Sequence, residues 1–191
     1  MLPTSWDISL IDLNTAQLRK RQVQEVDYVF ISAMSVQQTS AREVLALCRR
    51  LKTKVVAGGP LFTTGWSDFP EVDHFVLNEA EITLPLFLKD MEQGNLQRIY
   101  RSDEWADLST SPLPRWDLLI MKKYATMGIQ YSRGCPFDCE FCDITLLFGR
   151  KMRIKNTMQI LAELENIYLA GWRDNVFFVD DNFIGNKQVL K

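Results

Sequence analysis

The chain has 191 residues, and 47% of them are hydrophobic, which is enough to bury a sizeable core. Its 22 Lys and Arg residues and 24 Asp and Glu residues give a net charge of −2, and without a basic block we expect no nucleic-acid partner. The sequence shows no signal-peptide pattern and no run of about 18 apolar residues, so it predicts a cytoplasmic protein without a transmembrane segment.

Short apolar segments alternate with helical patterns between residues 1 and 100. The predicted strands are WDISLIDL (6–13), YVFISAM (28–34), KVVAGG (54–59) and HFVLNE (74–79). A polar helix or loop (15–26) and two helices (40–52 and 81–92) lie between or after them, and Pro85 is expected to interrupt or delay the last helix. Continuous apolar strands separated by helices predict an α/β domain with a doubly wound parallel sheet.

The helix over residues 40–52 has the most regular pattern. Ser40 and Glu43 have the spacing of a capping box, which predicts the start of the helix. One apolar stripe then follows, formed by Val44, Leu45, Leu47, Cys48 and Leu51. We therefore expect Cys48 to be a small buried hydrophobic residue.

Residues 101–123 are predicted to be a linker, because Pro112 and Pro114 break any helix there. Residues 124–191 then predict a strand (124–132), a loop rich in cysteine, a helix (156–170) and a second buried strand (175–183) that ends in acidic residues. The apolar face of the helix is formed by Ile160, Leu161, Leu164, Ile167 and Tyr168, and Gly171 is its expected stop.

The loop contains Cys135, Cys139 and Cys142 in the spacing CxxxCxxC, which is a poor disulfide framework because three thiols leave one unpaired. A structural zinc site takes four ligands, and the single histidine, His74, is in the other half, so zinc is a less suited alternative. Three thiolates can instead hold three corners of a 4Fe–4S cluster and leave the fourth iron open.

This spacing, placed after a strand and with an aromatic residue before the last cysteine, resembles the radical S-adenosylmethionine superfamily. The resemblance implies that the open iron binds S-adenosylmethionine and that reduction of its sulfonium releases a 5′-deoxyadenosyl radical. It also implies a partial β/α barrel, of which residues 124–191 would be the truncated N-terminal part, and an electron donor such as flavodoxin or ferredoxin.

Further residues follow from the same resemblance. The second barrel strand of the family ends in a polar motif, often Gly-Gly-Glu, that holds the methionyl amino group. Asp180, Asp181 and Asn182 occupy that place, and a carboxylate can still bind an ammonium group. Phe141 is also expected at S-adenosylmethionine. Arg133 and Gly134 are expected only to shape the loop, and no catalytic residue is assigned.

Residues 1–100 resemble the cobalamin-binding domain of the cobalamin-dependent branch of this superfamily. In that domain a Ser-x-apolar segment and a Gly-Gly pair, each after a strand, hold the nucleotide tail of cobalamin. The matching residues are Ser32, Ala33, Met34, Gly58 and Gly59. The first β/α unit of the domain is expected to be missing, and His74 is read as a core or surface residue rather than a cobalt ligand.

The segments DLNTAQL, FISAMSVQ, NEAEITLP, PRWDLL and VDDNFIGNK most resemble the subgroup that includes the hopanoid methylases. This implies methyl transfer to an unactivated carbon of a small-molecule or lipid substrate. Three alternatives stay open: a rearrangement or ring-forming enzyme with the same cofactors, a methylthiotransferase-like enzyme without cobalamin, and a catalytically incomplete fragment that a partner chain would complete. The methylthiotransferase reading is disfavoured because Cys48 is the sole cysteine of residues 1–100.

Overall fold

The computed structural model describes residues 1–183 and divides the chain into two compact units. The first unit contains residues 1–6 and 11–105, and the second contains residues 7–10 and the chain from residue 106 onward. Most of the segment predicted as a linker therefore packs within the second unit, where Leu108 is buried. None of the helices in residues 1–183 has both the length and the apolar character of a membrane span.

The first unit is built on a four-stranded parallel sheet in the order β1-β2-β3-β4. Its strands are β1 (Tyr28–Ser32), β2 (Lys54–Gly58), β3 (His74–Val76) and β4 (Ile99–Tyr100). Its helices are α1 (Lys20–Gln24), α2 (Gln38–Leu51), α3 (Pro60–Gly65) and α4 (Ala80–Gln93). The register aligns Ser32 with Gly58 and Gly58 with Val76, so the carboxyl ends of the first three strands lie side by side.

Helices cover both faces of this sheet. On one face, Leu45 of α2 and Phe62 of α3 pack with Val55 of β2 in the larger apolar core. On the other face, Phe87 of α4 packs with Val56 of β2 in a second core. Full burial of each such side chain contributes about 1.5–3 kcal/mol. The predicted α/β fold with a doubly wound parallel sheet is confirmed.

Helix α2 buries the predicted stripe, and Cys48 within it is fully buried, as expected. Burial raises the pKa of the Cys48 thiol, so this sulfur is a packing group rather than a nucleophile. The predicted capping box is wrong, because α2 begins at Gln38, directly after a 3₁₀ turn (Ser35–Gln37). Ser40 is therefore already inside the first turn, and the Gln37 side chain instead accepts a hydrogen bond from the Met34 N–H at 2.9 Å.

Two further expectations about the first 100 residues are wrong. Residues 6–13 form no strand, and Leu10 and Leu13 are about half exposed, because an apolar pattern becomes a strand only where a neighbouring strand pairs with it. Pro85 does not interrupt α4, which runs through it. The burial of Leu84 and Phe87 on either side of the proline outweighs the loss of one helical hydrogen bond.

The second unit contains one parallel pair of strands and one antiparallel pair. Its elements are β5 (Met127–Ile129), β6 (Ser132–Arg133), α5 (Ile144–Phe148), β7 (Arg153–Ile154), α6 (Thr157–Leu169) and β8 (Val176–Phe178). Strand β5 pairs with β8, and β6 pairs with β7. Helix α6 begins with a capping box between Asn156 and Gln159.

The strand, cysteine loop, helix and strand expected from the sequence therefore occur in that order. The core under α6 is formed by Met127, Ile129, Ile167 and Trp172. The prediction that the last strand is buried is wrong, since Phe177 is 64% exposed and Phe178 is 39% exposed. Within the described residues, β8 pairs with β5 alone, so its outer side has no neighbouring strand.

Candidate functional site

The cysteine loop leaves β6 through a glycine that no other residue could replace without strain. Gly134 has φ +92°, and a Cβ atom on it would lie 2.7 Å from the Lys151 carbonyl oxygen and 3.1 Å from that of Gly149. The Cys135 N–H donates to the Gly149 carbonyl at 3.2 Å. The start of the loop is therefore packed tightly against the turn between α5 and β7, and Gly134 shapes it.

The three thiols of the loop are free and accessible. Cys135 is partly exposed, Cys139 and Cys142 are exposed, and Phe141 between them is 93% exposed. The Cys142 N–H donates to the Cys139 carbonyl at 3.0 Å, which folds the second half of the loop into a turn.

Within residues 1–183, no three His, Cys, Asp or Glu side chains are grouped closely enough to hold a metal ion. The loop supplies three thiolate-forming cysteines, which is the donor set of an iron–sulfur site in which each thiolate binds a different iron, so the three sulfur atoms need not meet at one point.

The chain beyond β8 runs alongside the segment that leads into the loop. The Val179 N–H donates to the Ile129 carbonyl at 2.9 Å, continuing the β5–β8 ladder by one bond. The Asp180 carboxylate then accepts hydrogen bonds from the Tyr131 N–H at 3.3 Å, from the Ser132 N–H, and from the Ser132 hydroxyl at 2.6 Å. Asp180 therefore fixes the approach to the loop.

The next two residues reach the loop itself. The Asp181 carboxylate accepts a hydrogen bond from the Gly134 N–H at 3.3 Å, and the Asn182 side-chain amide donates to the Cys135 Sγ at 3.5 Å. Burial, assisted by the nearby charge of Asp180, raises the pKa of Asp181. Three consecutive polar side chains predicted as cofactor contacts are thus brought to the cysteine loop.

One residue of this region was missed by sequence reasoning. Ser132 is fully buried, and its hydroxyl and N–H both donate to Asp180. A buried hydroxyl needs such a partner, because an unpaired polar group costs free energy away from water. The serine three positions before Cys135 was a visible signal, but its partner is 48 residues away in sequence.

The residues predicted for cobalamin also come together, at the carboxyl ends of β1 and β2. A Cβ atom on Gly58 would lie 2.6 Å from the Val76 carbonyl oxygen, so a strand-to-strand contact already requires glycine there. Gly59 has φ +83°, and its Cβ would lie 2.7 Å from the Ser32 Oγ and 3.2 Å from the Ala33 N. The protein's own packing therefore accounts for both glycines.

The other residues of that edge differ in exposure. Ala33 is buried and its carbonyl accepts a hydrogen bond from the Leu61 N–H at 3.0 Å, whereas Ser32 is exposed and Met34 is 58% exposed. His74 lies at the opposite end of β3, where its Nδ1 is 2.7 Å from the Gln97 carbonyl oxygen. This placement fits the structural role expected for His74.

No family model matches the chain. The chain is similar to an uncharacterized methyltransferase of Synechocystis sp., with 42% identity over 100% of this chain and 36% of the relative. It is also similar to hopanoid C-2 methylase of Rhodopseudomonas palustris, with 33% identity over 98% of this chain and 36% of the relative. The chain therefore spans about a third of the length of these relatives.

Among solved structures, the fold resembles that of the radical S-adenosylmethionine methyltransferase TsrM from Kitasatospora setae, solved with cobalamin and a [4Fe–4S] cluster bound. The TM-score is 0.62 with 15% sequence identity, and the match covers 86% of this chain and 39% of the other. At that identity, the likeness establishes a shared fold.

Proposed function

We propose that this chain, which is homologous to part of the methyltransferases that include hopanoid C-2 methylase, forms the cofactor-binding portion of a cobalamin-dependent radical S-adenosylmethionine methyltransferase. The second unit would hold a 4Fe–4S cluster and S-adenosylmethionine, and the first unit would bind cobalamin. The observation that carries the proposal is the loop of three free thiols, whose first cysteine, Cys135, accepts a hydrogen bond from Asn182 in the segment that follows β8.

Cys135, Cys139 and Cys142 would hold the cluster as thiolates. A cluster of four irons held by three thiolates keeps one iron free to bind S-adenosylmethionine and to pass an electron to it. Zinc suits the loop less well, because a closed structural zinc site takes four ligands and the single histidine lies in the first unit.

Of the three polar residues after β8, Asp181 is the one we assign to the ammonium group of S-adenosylmethionine. Asp180 already accepts three hydrogen bonds from Tyr131 and Ser132, so its oxygens are engaged in the protein. Asn182 is directed at Cys135. Asp181 accepts one long hydrogen bond from the Gly134 N–H, and burial raises its pKa, so a nearby cation would stabilise the charged form of this carboxylate.

In the first unit, the exposed Ser32 and Met34 are the residues that we expect to contact cobalamin, while Gly58 and Gly59 let β1, β2 and β3 approach one another there. For the whole enzyme we propose methyl transfer to an apolar substrate such as a polyisoprenoid lipid, driven by a flavodoxin- or ferredoxin-type electron donor. Substrate recognition is assigned to no residue of this chain.

The decisive experiment is anaerobic reconstitution of the chain with iron and sulfide. We expect about four irons and four sulfides per chain, together with a low-temperature EPR signal of the reduced cluster that changes when S-adenosylmethionine is added. Cys139→Ala should lose the cluster. Cys48→Ala is the matched control: it removes the buried thiol of α2 and should retain the cluster.

A wild-type chain without a cluster, or equal clusters in the wild type and Cys139→Ala, would refute the proposal. A cluster whose EPR signal does not change when S-adenosylmethionine is added would indicate that the chain alone is a catalytically incomplete fragment. Retention of hydroxocobalamin after desalting tests the first unit separately. If the chain does not retain hydroxocobalamin, the cobalamin part of the proposal is refuted and the cluster part is unaffected.

A further inference from the structure

The hydrogen bond from Asn182 to Cys135 joins residues 47 positions apart in the sequence. It is the last of a series in which residues 179 to 182 each contact the segment from Ile129 to Cys135, in the same order along both stretches. The parallel pairing of β5 with β8 starts this series, and Asp180 and Asp181 extend it. The amide of Asn182 is therefore held against the sulfur by bonds on the residues before it.

The chemistry of this contact depends on the state of the sulfur. A side-chain amide N–H is a donor, and a thiolate that ligates iron carries negative charge and accepts hydrogen bonds more strongly than a thiol does. Hydrogen bonds to ligating sulfur are among the factors that set the reduction potential of iron–sulfur clusters. A donor favours the state with more negative charge, which is the reduced one.

We infer that Asn182 is a positioning residue that raises the reduction potential of the cluster through its hydrogen bond to Cys135. The inference rests on the proposed function, since it requires the cluster on the cysteine loop. The step concerned is a one-electron reduction, in which an external reductant supplies the electron and no bond in the protein forms or breaks. The role differs from the contact with S-adenosylmethionine that the sequence predicted for Asn182.

The test is a redox titration of the reconstituted chain, followed by the EPR signal of the reduced cluster and without S-adenosylmethionine. Asn182→Leu keeps the branched outline of the side chain, although it is larger, and has no donor, whereas Asn182→Asp keeps the shape but presents acceptors alone at neutral pH. In both variants we expect the equilibrium constant for one-electron reduction of the cluster to be about tenfold lower. This corresponds to a reduction potential about 59 mV more negative.

Asn95→Leu is the control, because it makes the same chemical change at an exposed position of the first unit and should leave the potential unchanged. Iron and sulfide content are measured first, so failure of the proposed function appears as a wild-type chain without a cluster. Variants with normal clusters and the wild-type potential would overturn the inference alone. Loss of the cluster in both Asn182 variants would also overturn it, since Asn182 would then be needed to form the loop.

Discussion

The buried ion pair between Lys155 and Glu163 is expected to make the second unit sensitive to the loss of either partner. The Lys155 Nζ lies 2.5 Å from a Glu163 carboxylate oxygen, and the two side chains are 7% and 3% exposed. Lys155 follows β7, and its N–H donates to the Tyr131 carbonyl at 2.9 Å, so the pair links α6 to the segment that enters the cysteine loop. Removing one partner leaves the other charge buried without compensation, which typically costs about 3–5 kcal/mol.

We therefore expect Glu163→Leu and Lys155→Met each to lower the free energy of unfolding by about 3–5 kcal/mol. With an m-value of about 2 kcal/mol per molar urea, this corresponds to a midpoint lower by about 2 M. The double variant replaces the pair by apolar side chains and should recover most of the loss. Urea unfolding of the cluster-free chain, followed by far-UV circular dichroism and by tryptophan fluorescence, to which the buried Trp172 contributes, provides the measurement.

Two outcomes would refute this reasoning. Single variants that lose less than about 0.5 kcal/mol would place the pair among solvent-screened surface ion pairs. A double variant that is as unstable as the sum of the single variants would show that the two side chains contribute independently, rather than by neutralising each other.

Two further predictions concern the strand ends. Gly59→Ala should destabilise the first unit by more than the roughly 1–2 kcal/mol that a left-handed backbone costs other residues, because its Cβ also meets Ser32. Gly94→Ala is the control, since Gly94 has φ +70° with open space around it and should show the backbone cost alone. Equal urea midpoints for the two variants would contradict the packing argument. Asp181 has a raised pKa in the folded chain, so its burial contributes stability at low pH that is lost as the pH rises through that pKa. Asp181→Asn should therefore raise the urea midpoint at pH 7, with a difference that shrinks as the pH falls from the raised pKa of Asp181 to the ordinary pKa of aspartate and vanishes below it, and a pH-independent difference would argue against the assignment.

The sequence predicted the parts of the fold that depend on local pattern. The apolar runs at β1, β2 and β3 and the stripe of α2 are confirmed, because an apolar segment between helices has few alternatives to a buried parallel strand. The resemblance to the subgroup that includes the hopanoid methylases is likewise confirmed, by 33% identity to hopanoid C-2 methylase over 98% of this chain and 36% of that relative. Three of the four local errors, at residues 6–13, Pro85 and β8, have one origin, because burial or pairing there is decided by neighbours that are distant in sequence. The fourth, at Ser40, is local, because a 3₁₀ turn at Ser35–Gln37 moves the start of α2 to Gln38.

The roles within the predicted site could not be read from residue types. The sequence placed Asp180, Asp181 and Asn182 together as candidates for one contact with S-adenosylmethionine. The hydrogen bonds separate them, because Asp180 bonds to Ser132, Asp181 to Gly134 and Asn182 to Cys135. These partners lie 47 or 48 residues away, so only the register of two parallel strands determines which residue meets which.

This division of roles offers a physical account of the departure from the Gly-Gly-Glu pattern that the family often shows. Two glycines at a strand end carry no side chain that could hold a neighbouring loop, whereas Asp180 and Asn182 both bond to the segment from Tyr131 to Cys135. Under the proposed function, the carboxylate of Asp181 would then be the one left to bind the ammonium group. The thiol loop and the end of β8 thus form one hydrogen-bonded unit, and a change at either is expected to alter the other.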